Sequence, residues 1–199
     1  MNILLIQSSP RGGESVSRKL TKELLEKLSE NGEVFVTERD LSVQPLPHLQ
    51  QEQLAAFFTP PQQRNTAQQE AARFSDEAVD QLLASDVIVI SAPIWNFSIP
   101  SVLKAWIDHV VRAGRTFSYG PEGVKGLVDN KRVYVISARG SVLSNGPLVA
   151  MDFFEPYLRA VLGFIGLNDV TFIRAEGLGD PRSKDTAVAK AQSKIAALI

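Results

Sequence analysis

Four serines, Ser8, Ser9, Ser15 and Ser17, crowd the segment SSPRGGESVSRKL together with the flexible pair Gly12-Gly13. Placed between a strand and a helix, such a segment offers helix N-terminal N–H groups, their dipole, and hydroxyls that add hydrogen bonds without adding charge. That combination suits a phosphomonoester. Ser15 or Ser17 would equally serve as a helix cap, and Arg11 would either pair with a phosphate or stay solvated. A second segment, PIWNFSIP (93–100), offers a flat aromatic at Trp95, an amide at Asn96 and unpaired backbone N–H groups ahead of a helix. A planar heteroaromatic ring system needs such a surface to lie against, with donors and acceptors for its edge. Phe97 fits ligand contact and ordinary core packing alike. In a third segment, SARGSVLSNGP (137–147), Gly140 and Gly146 let the backbone approach a ring closely. The Arg139 side chain would cap developing negative charge or pair with a surface carboxylate.

Other chemistries find little support. The chain has no cysteine, which excludes disulfides, thiolate catalysis and Cys-ligated metals, and only two histidines, His48 and His109. Metal sites need convergent ligand clusters, so both histidines read as surface or packing residues, and no metal is expected. No G-x-G-x-x-G follows a strand and no G-x-x-x-x-G-K-[ST] occurs, which argues against a dinucleotide fingerprint and a P-loop. The first strand ends in Gln7-Ser8, where a receiver-type phosphorylation site would need acidic residues.

The elements that must position these segments follow from hydrophobic periodicity. Short apolar runs rich in β-branched residues recur at 2–7, 34–41, 86–93, 131–139 and 169–178, most of them continuous, as in strands covered on both faces. Helix-period segments alternate with them. The stretch 15–30 puts Val16, Leu20, Leu24, Leu25 and Leu28 on one face and closes near Asn31-Gly32; 100–114 opens at Pro100 and carries an apolar stripe from Val102 to Val111. Further helices are expected at 155–165 and at about 184–198. Five strands alternating with helices imply a three-layer α/β architecture, a five-stranded parallel sheet with helices on both faces. All three informative segments then follow strands one, three and four and meet at the carboxyl edge of the sheet.

Two segments escape the alternation. Residues 42–65 are rich in Pro and Gln and include Phe57-Phe58, and residues 114–130 are rich in Gly and carry Phe117 and Tyr119. Insertions of this length serve as lids or interface elements, or are simply irregular loops.

Composition sets the outer bounds. At 199 residues and 44% hydrophobic content, the chain is expected to form a single domain over residues 1–199. A formal charge of −1 with dispersed charges offers no basic stripe for nucleic acid and no polybasic membrane patch. Without a signal-like N-terminus or an apolar run of about 18 residues, a cytoplasmic protein acting on small molecules is expected.

The string APIWNFSIPSVLKAWIDHVVRAG, followed in order by TFSY, GPEG, SARGS, GP, PYL and LGFIG, resembles the bacterial FMN-dependent NADH:quinone oxidoreductases, also called azoreductases, over nearly the whole chain. The resemblance implies a flavodoxin-like homodimer with one FMN per subunit near the interface and NADH as electron donor. It implies a ping-pong cycle that reduces quinones by two electrons and cleaves aromatic azo compounds to amines. A flavodoxin-like electron carrier or redox sensor is the alternative. Carried over by position, the phosphate site falls on Ser9, Ser15, Val16 and Ser17, and the ring contacts on Ile94, Trp95, Asn96, Phe97, Ala138, Arg139, Gly140 and Ser141. No side chain is assigned as acid or base. Phe57, Phe58, Phe117 and Tyr119 are candidates for completing the partner's site. Family members often have Met-Tyr where this chain has Ile94-Trp95, and Ser where it has Ala138. Many have a His in the loop that reads Val142-Leu143-Ser144 here, so a proton-donor role for that histidine does not carry over.

Overall fold

The computed structural model describes residues 1–30 and 32–198. Along the chain run β1 (Asn2–Gln7), α1 (Val16–Ser29), β2 (Phe35–Asp40), α2 (Gln51–Phe58), α3 (Thr66–Ala84), β3 (Val87–Pro93), α4 (Ser101–Val110), β4 (Phe117–Gly120), β5 (Gly123–Gly126), β6 (Arg132–Arg139), α5 (Glu155–Phe164), β7 (Asp169–Glu176) and α6 (Pro181–Ala196). Five strands form one parallel sheet in the order β2-β1-β3-β6-β7. Strand order reverses at β1, so the crossovers to β2 and to β3 leave in opposite directions. The crevice at the carboxyl ends of β1 and β3 is the topological switch point, where open α/β sheets bind ligands.

Alternation of side chains along each strand feeds two cores. Ile3, Leu5, Val87, Val89 and Ile136 pack beneath Leu20, Leu24 and Leu28 of α1 and Ala191 and Ile195 of α6. Leu4, Ile6, Ile88, Ile90, Val133 and Val135 pack beneath α3, α4 and α5, where Trp106, Leu158 and Leu162 are fully or almost fully buried. Each buried Leu or Ile contributes about 1.5–3 kcal/mol, so both faces of the central strands are committed to helices. The flavodoxin-like, three-layer architecture expected from the strand pattern is therefore the one observed.

Several boundaries differ, each for a local reason. Strand β2 lies at the sheet edge and leaves Phe35 and Val36 exposed, rather than being covered on both faces. Helix α1 ends at Ser29; the expected closure at Asn31 lies outside the described residues. Pro100 stands just before α4 instead of at its first turn, and the helix stops at Val110. The Thr116 hydroxyl ends it by accepting from the Arg112 N–H at 2.8 Å and donating to the Val110 carbonyl at 2.7 Å. Helix α6 starts earlier than expected, at Pro181, because the Asp180 carboxylate caps it from the Arg182 N–H at 2.9 Å.

The two irregular segments are ordered. Residues 51–58 form α2, and 117–126 form the antiparallel β4–β5 hairpin. Helix α3 starts in a capping box in which Asn65 and Gln68 exchange side-chain and backbone hydrogen bonds at 2.9 and 3.1 Å. Arg64 holds α2 through the Ala56 and Thr59 carbonyls at 3.0 and 3.1 Å and Asp76 at 2.5 Å. Arg112 stacks on the Phe57 ring at 3.7 Å, and the His109 Nε2–H donates to the Pro47 carbonyl at 2.8 Å. His109 is a packing residue whose imidazole burial pushes below its usual pKa. Among the described residues, no helix is long and apolar enough to cross a membrane.

Candidate active site

The three serine-, aromatic- and glycine-bearing turns meet as the topology requires. They line one cleft of about 360 Å³, formed by Ser9, Arg11, Ser15, Val16, Pro93, Ile94, Trp95, Ala138, Arg139, Gly140, Leu178 and Gly179. That volume lies in the range of small-molecule sites.

On the β1 side, the Ser15 Oγ accepts from the Arg18 N–H at 3.4 Å and shares a 3.0 Å hydrogen bond with the Ser17 Oγ. Ser15 thus caps α1 and lines the cleft at once, so the two readings of this serine are compatible. Ser17 is buried behind it rather than on the cleft wall. Arg18 positions Ser9: its Nε and Nη2 donate to the Ser9 carbonyl at 3.2 and 2.7 Å, and its Nη1 pairs with Asp40 at 2.8 Å. The Arg11 guanidinium makes no side-chain hydrogen bond or ion pair among the described residues, so its charge faces the cleft mouth uncompensated.

On the β3 side, Asn96 and Phe97 adopt φ of 49° and 71°. Trp95 and Ser98 exchange backbone hydrogen bonds at 3.3 and 3.1 Å around them, giving a turn with both central residues in the left-handed region. Asn tolerates that conformation, but a Phe there stores strain, a signature of functional sites. Trp95 is 45% exposed at the cleft wall, whereas Trp106 is 1% exposed in the core. Asn96 and Phe97 project at the exposed tip, outside the cleft lining proper. Their N–H groups find no acceptor among the described residues, and neither do those of Gly140 and Ser141. The Ile94 N–H donates to the Ala138 carbonyl at 2.9 Å and locks the two turns side by side.

On the β6 side, the Arg139 side chain turns inward and is buried. It meets Asp152 at 2.8 Å, Glu155 at 3.3 Å and Glu176 at 3.2 Å, and Arg174 pairs with Glu155 from the other side at 2.6 Å. Its partners are thus one buried and two half-buried carboxylates rather than a surface carboxylate. Burial alone would raise the Asp152 carboxyl, but hydrogen bonds from Arg139 and from the Glu155 and Phe154 N–H groups outweigh it and hold it below the ordinary value. Glu176 is likewise held low, against burial, by Ser144, the Leu143 N–H and the charge of Arg139. Ser141 lies outside the cleft lining, its carbonyl accepting from the Gly177 N–H at 3.3 Å.

The β7–α6 loop completes the wall. Leu178 and Gly179 donate to the Arg139 and Gly140 carbonyls at 3.1 and 3.0 Å, and a Cβ on Gly179 would sit 3.2 Å from the Gly140 carbonyl oxygen. The run AEGLGD carries that signal in its glycines; the expected strand 169–178 takes in Leu178 and stops short of Gly179.

A helix N-terminus lined with hydroxyls, an uncompensated arginine, an exposed indole and nearby unpaired amides have the chemistry that a planar ligand bearing a phosphate needs: anion donors at one end, ring-edge donors at the other. Residues 1–199 match a family described as having a flavodoxin-like fold. An FMN-dependent NADH:quinone oxidoreductase of Herminiimonas arsenicoxydans is 50% identical over 199 residues, covering 99% of this chain and 98% of that protein. The FMN-dependent NADH:quinone oxidoreductase 2 of Hahella chejuensis is 46% identical, covering all of both chains. This chain belongs to the FMN-dependent NADH:quinone oxidoreductase family. Among solved structures, azoreductase AzrA superposes with a TM-score of 0.91 at 29% identity, covering 98% of this chain and 97% of its own. An FMN-dependent NADH-azoreductase of Bacillus anthracis in complex with FMN superposes at 0.85 with 28% identity, covering 100% and 99%.

The Arg139 cluster gives this oxidoreductase a pH signature. Asp152 and Glu176 have folded pKa values below their ordinary 3.8 and 4.5. The stability they contribute is therefore present above those ordinary values and is lost as pH falls below them. Arg139→Met leaves three carboxylates without their shared cation and is expected to cost about 3–5 kcal/mol at pH 7. Urea unfolding at pH 7 and at about pH 3, below both ordinary values, checks this: the variant should lose less than the wild type on acidification. Parallel losses would show that Arg139 does not set these carboxyl groups.

Proposed function

We propose that this chain is an FMN-dependent NADH:quinone oxidoreductase that also reductively cleaves aromatic azo compounds, residues 1–199 acting as one domain within a cytoplasmic homodimer. The observation that carries the reading is the cleft at the switch point, with a phosphate-type end at α1, Trp95 and Gly140 at the other, and the unpaired amides of Asn96, Phe97 and Ser141 on the turns beside it. FMN, when bound, supplies the two-electron hydride chemistry between NADH and the acceptor. A quinone needs one such turnover; cleavage of an azo bond to two amines needs four electrons and thus two.

The chain's own residues do the holding. Ser9, Ser15 and the first N–H groups of α1 at Val16 and Ser17 would take the phosphate, with Arg11 in reach of the same end of the cleft. Ile94 and Trp95 offer the apolar wall and the flat surface. The N–H groups of Asn96, Phe97, Gly140 and Ser141 would hold the ring edge and stabilise negative charge there as fixed dipoles, without reorganisation. Ala138 offers its carbonyl to Ile94 and so fixes the spacing of the two turns. Arg139 acts through the backbone geometry it maintains. Among the described residues no Asp, Glu, His, Lys or Tyr lines the cleft, so solvent or the flavin would provide protons.

Steady-state NADH consumption with benzoquinone tests the activity. Turnover supports the enzyme; FMN binding without turnover would assign the chain as an electron carrier or sensor. Asn96→Ala is expected to weaken FMN and slow turnover by about tenfold. Asn96→Gly, which keeps the left-handed φ while deleting the amide, should lose the same amount; full FMN affinity in Asn96→Gly would remove the side chain from the site.

The dimer reading is supported by exposed apolar side chains on the two inserted segments: Phe58 is 80% and Tyr119 74% exposed. Phe57 and Phe117 leave the list of candidates, being packed instead on Arg112 and on Phe164. Sedimentation should give a dimer at working concentration, and Phe58→Asp with Tyr119→Asp should weaken it together with activity. A fully active monomer would overturn the assignment.

A further inference from the structure

A second cleft, of about 530 Å³, adjoins the first across Trp95. Trp95 and Tyr157 line it as aromatic residues, with Ile99 and Pro100 as further apolar surface and Asn96, Ser98, Ser101 and Lys104 as polar groups. Lys104 is the only charged residue on its lining. The ammonium is held by Asp108 at 2.6 Å, one turn further along α4, but Asp108 does not line the cleft. That hydrogen bond raises the Lys104 pKa further above its already high value, so the group stays cationic at any physiological pH. One of its three N–H donors is used by Asp108, which leaves donors for a second acceptor.

Flat aromatic walls with one cation on the floor and no carboxylate form a recognition surface for a planar aromatic acid. Trp95 borders both clefts, which places this one beside the cofactor cleft. We propose that the Trp95–Tyr157–Lys104 cleft selects acceptor substrates bearing a carboxylate on an aromatic ring, with Lys104 as the residue that reads the charge. The inference rests on the oxidoreductase reading for the word substrate; the cleft's preference for an aromatic carboxylate is a separate property of the protein.

The two are separable by experiment. Anthraquinone-2-carboxylate and its neutral counterpart 2-(hydroxymethyl)anthraquinone are titrated by calorimetry into the oxidised, FMN-loaded protein and into the FMN-free protein. The wild type should bind the carboxylate about tenfold more tightly than the alcohol. Lys104→Met should abolish that preference while leaving the alcohol's affinity within about twofold, and Lys104→Arg should retain it. Asp108→Asn, which frees the ammonium from its internal partner, should increase the preference. Equal binding of the two compounds by the wild type, or an unchanged preference in Lys104→Met, would overturn the proposal. If FMN fails to bind, the oxidoreductase reading falls, while the carboxylate preference of the FMN-free protein is still decided by the same titration.

Discussion

One buried guanidinium, that of Arg139, meets three carboxylates from two stretches of chain: Asp152 and Glu155 at the entry to α5, and Glu176 at the end of β7. Taking such charges out of water is costly, and the arrangement is tolerable only because each carboxylate also finds other donors. Asp152 accepts from the Phe154 and Glu155 N–H groups, and Glu176 from those of Leu143 and Ser144. The result is a rigid knot beneath the cleft. It fixes the loop after β6, the start of α5 and the end of β7 relative to one another. The next residue along from Asp152 carries this order to the neighbouring turn: the Phe153 N–H donates to the Phe97 carbonyl at 3.1 Å.

This knot explains how the rim can leave amides unpaired. Parallel strands end with N–H groups that no neighbour needs, and a loop left to itself would turn them toward side chains or water. Here the turns are tied by the Ile94 N–H to the Ala138 carbonyl and by the Phe153 N–H to the Phe97 carbonyl, and the N–H groups of Asn96, Phe97, Gly140 and Ser141 find no acceptor among the described residues. The left-handed backbone at Asn96 and Phe97 stores strain of about 1–3 kcal/mol per residue, sustained by the packing around it. A site organised in this way before its ligand arrives loses little ordering energy on binding, and its dipoles already point where charge would develop. Trp95 stands between that site and the Lys104 cleft, so a single side chain borders both the cofactor and the acceptor regions.

The sheet was legible because its strands are continuous apolar runs bounded by polar turns, and β1 was read to the residue. The amphipathic helices α1, α4 and α5 were legible for the matching reason, leucines and valines at helical spacing. Helix α2 was not, because eight residues carry too little periodicity and its place is set by Arg64, Asp76 and Arg112, whose pairing across sequence no local pattern shows. The β4–β5 hairpin hid behind glycines that read as loop. Within the cleft, Ser9, Ser15, Trp95 and Gly140 were legible from residue type, and Val16, Ile94 and Ala138 from the family resemblance; all reach its lining. The inward turn of Arg139 was invisible, since it depends on carboxylates up to 37 residues away meeting at one point, and so was the contribution of Leu178 and Gly179.

The account's central claim is that the three-turn cleft holds a flavin competent in both halves of a two-electron cycle. The most direct measurement is the anaerobic visible spectrum of the FMN-loaded protein before and after one equivalent of NADH, then after benzoquinone. The account predicts bleaching of the flavin bands by NADH and their return with the quinone. Flavin bands that persist in the presence of NADH would contradict it.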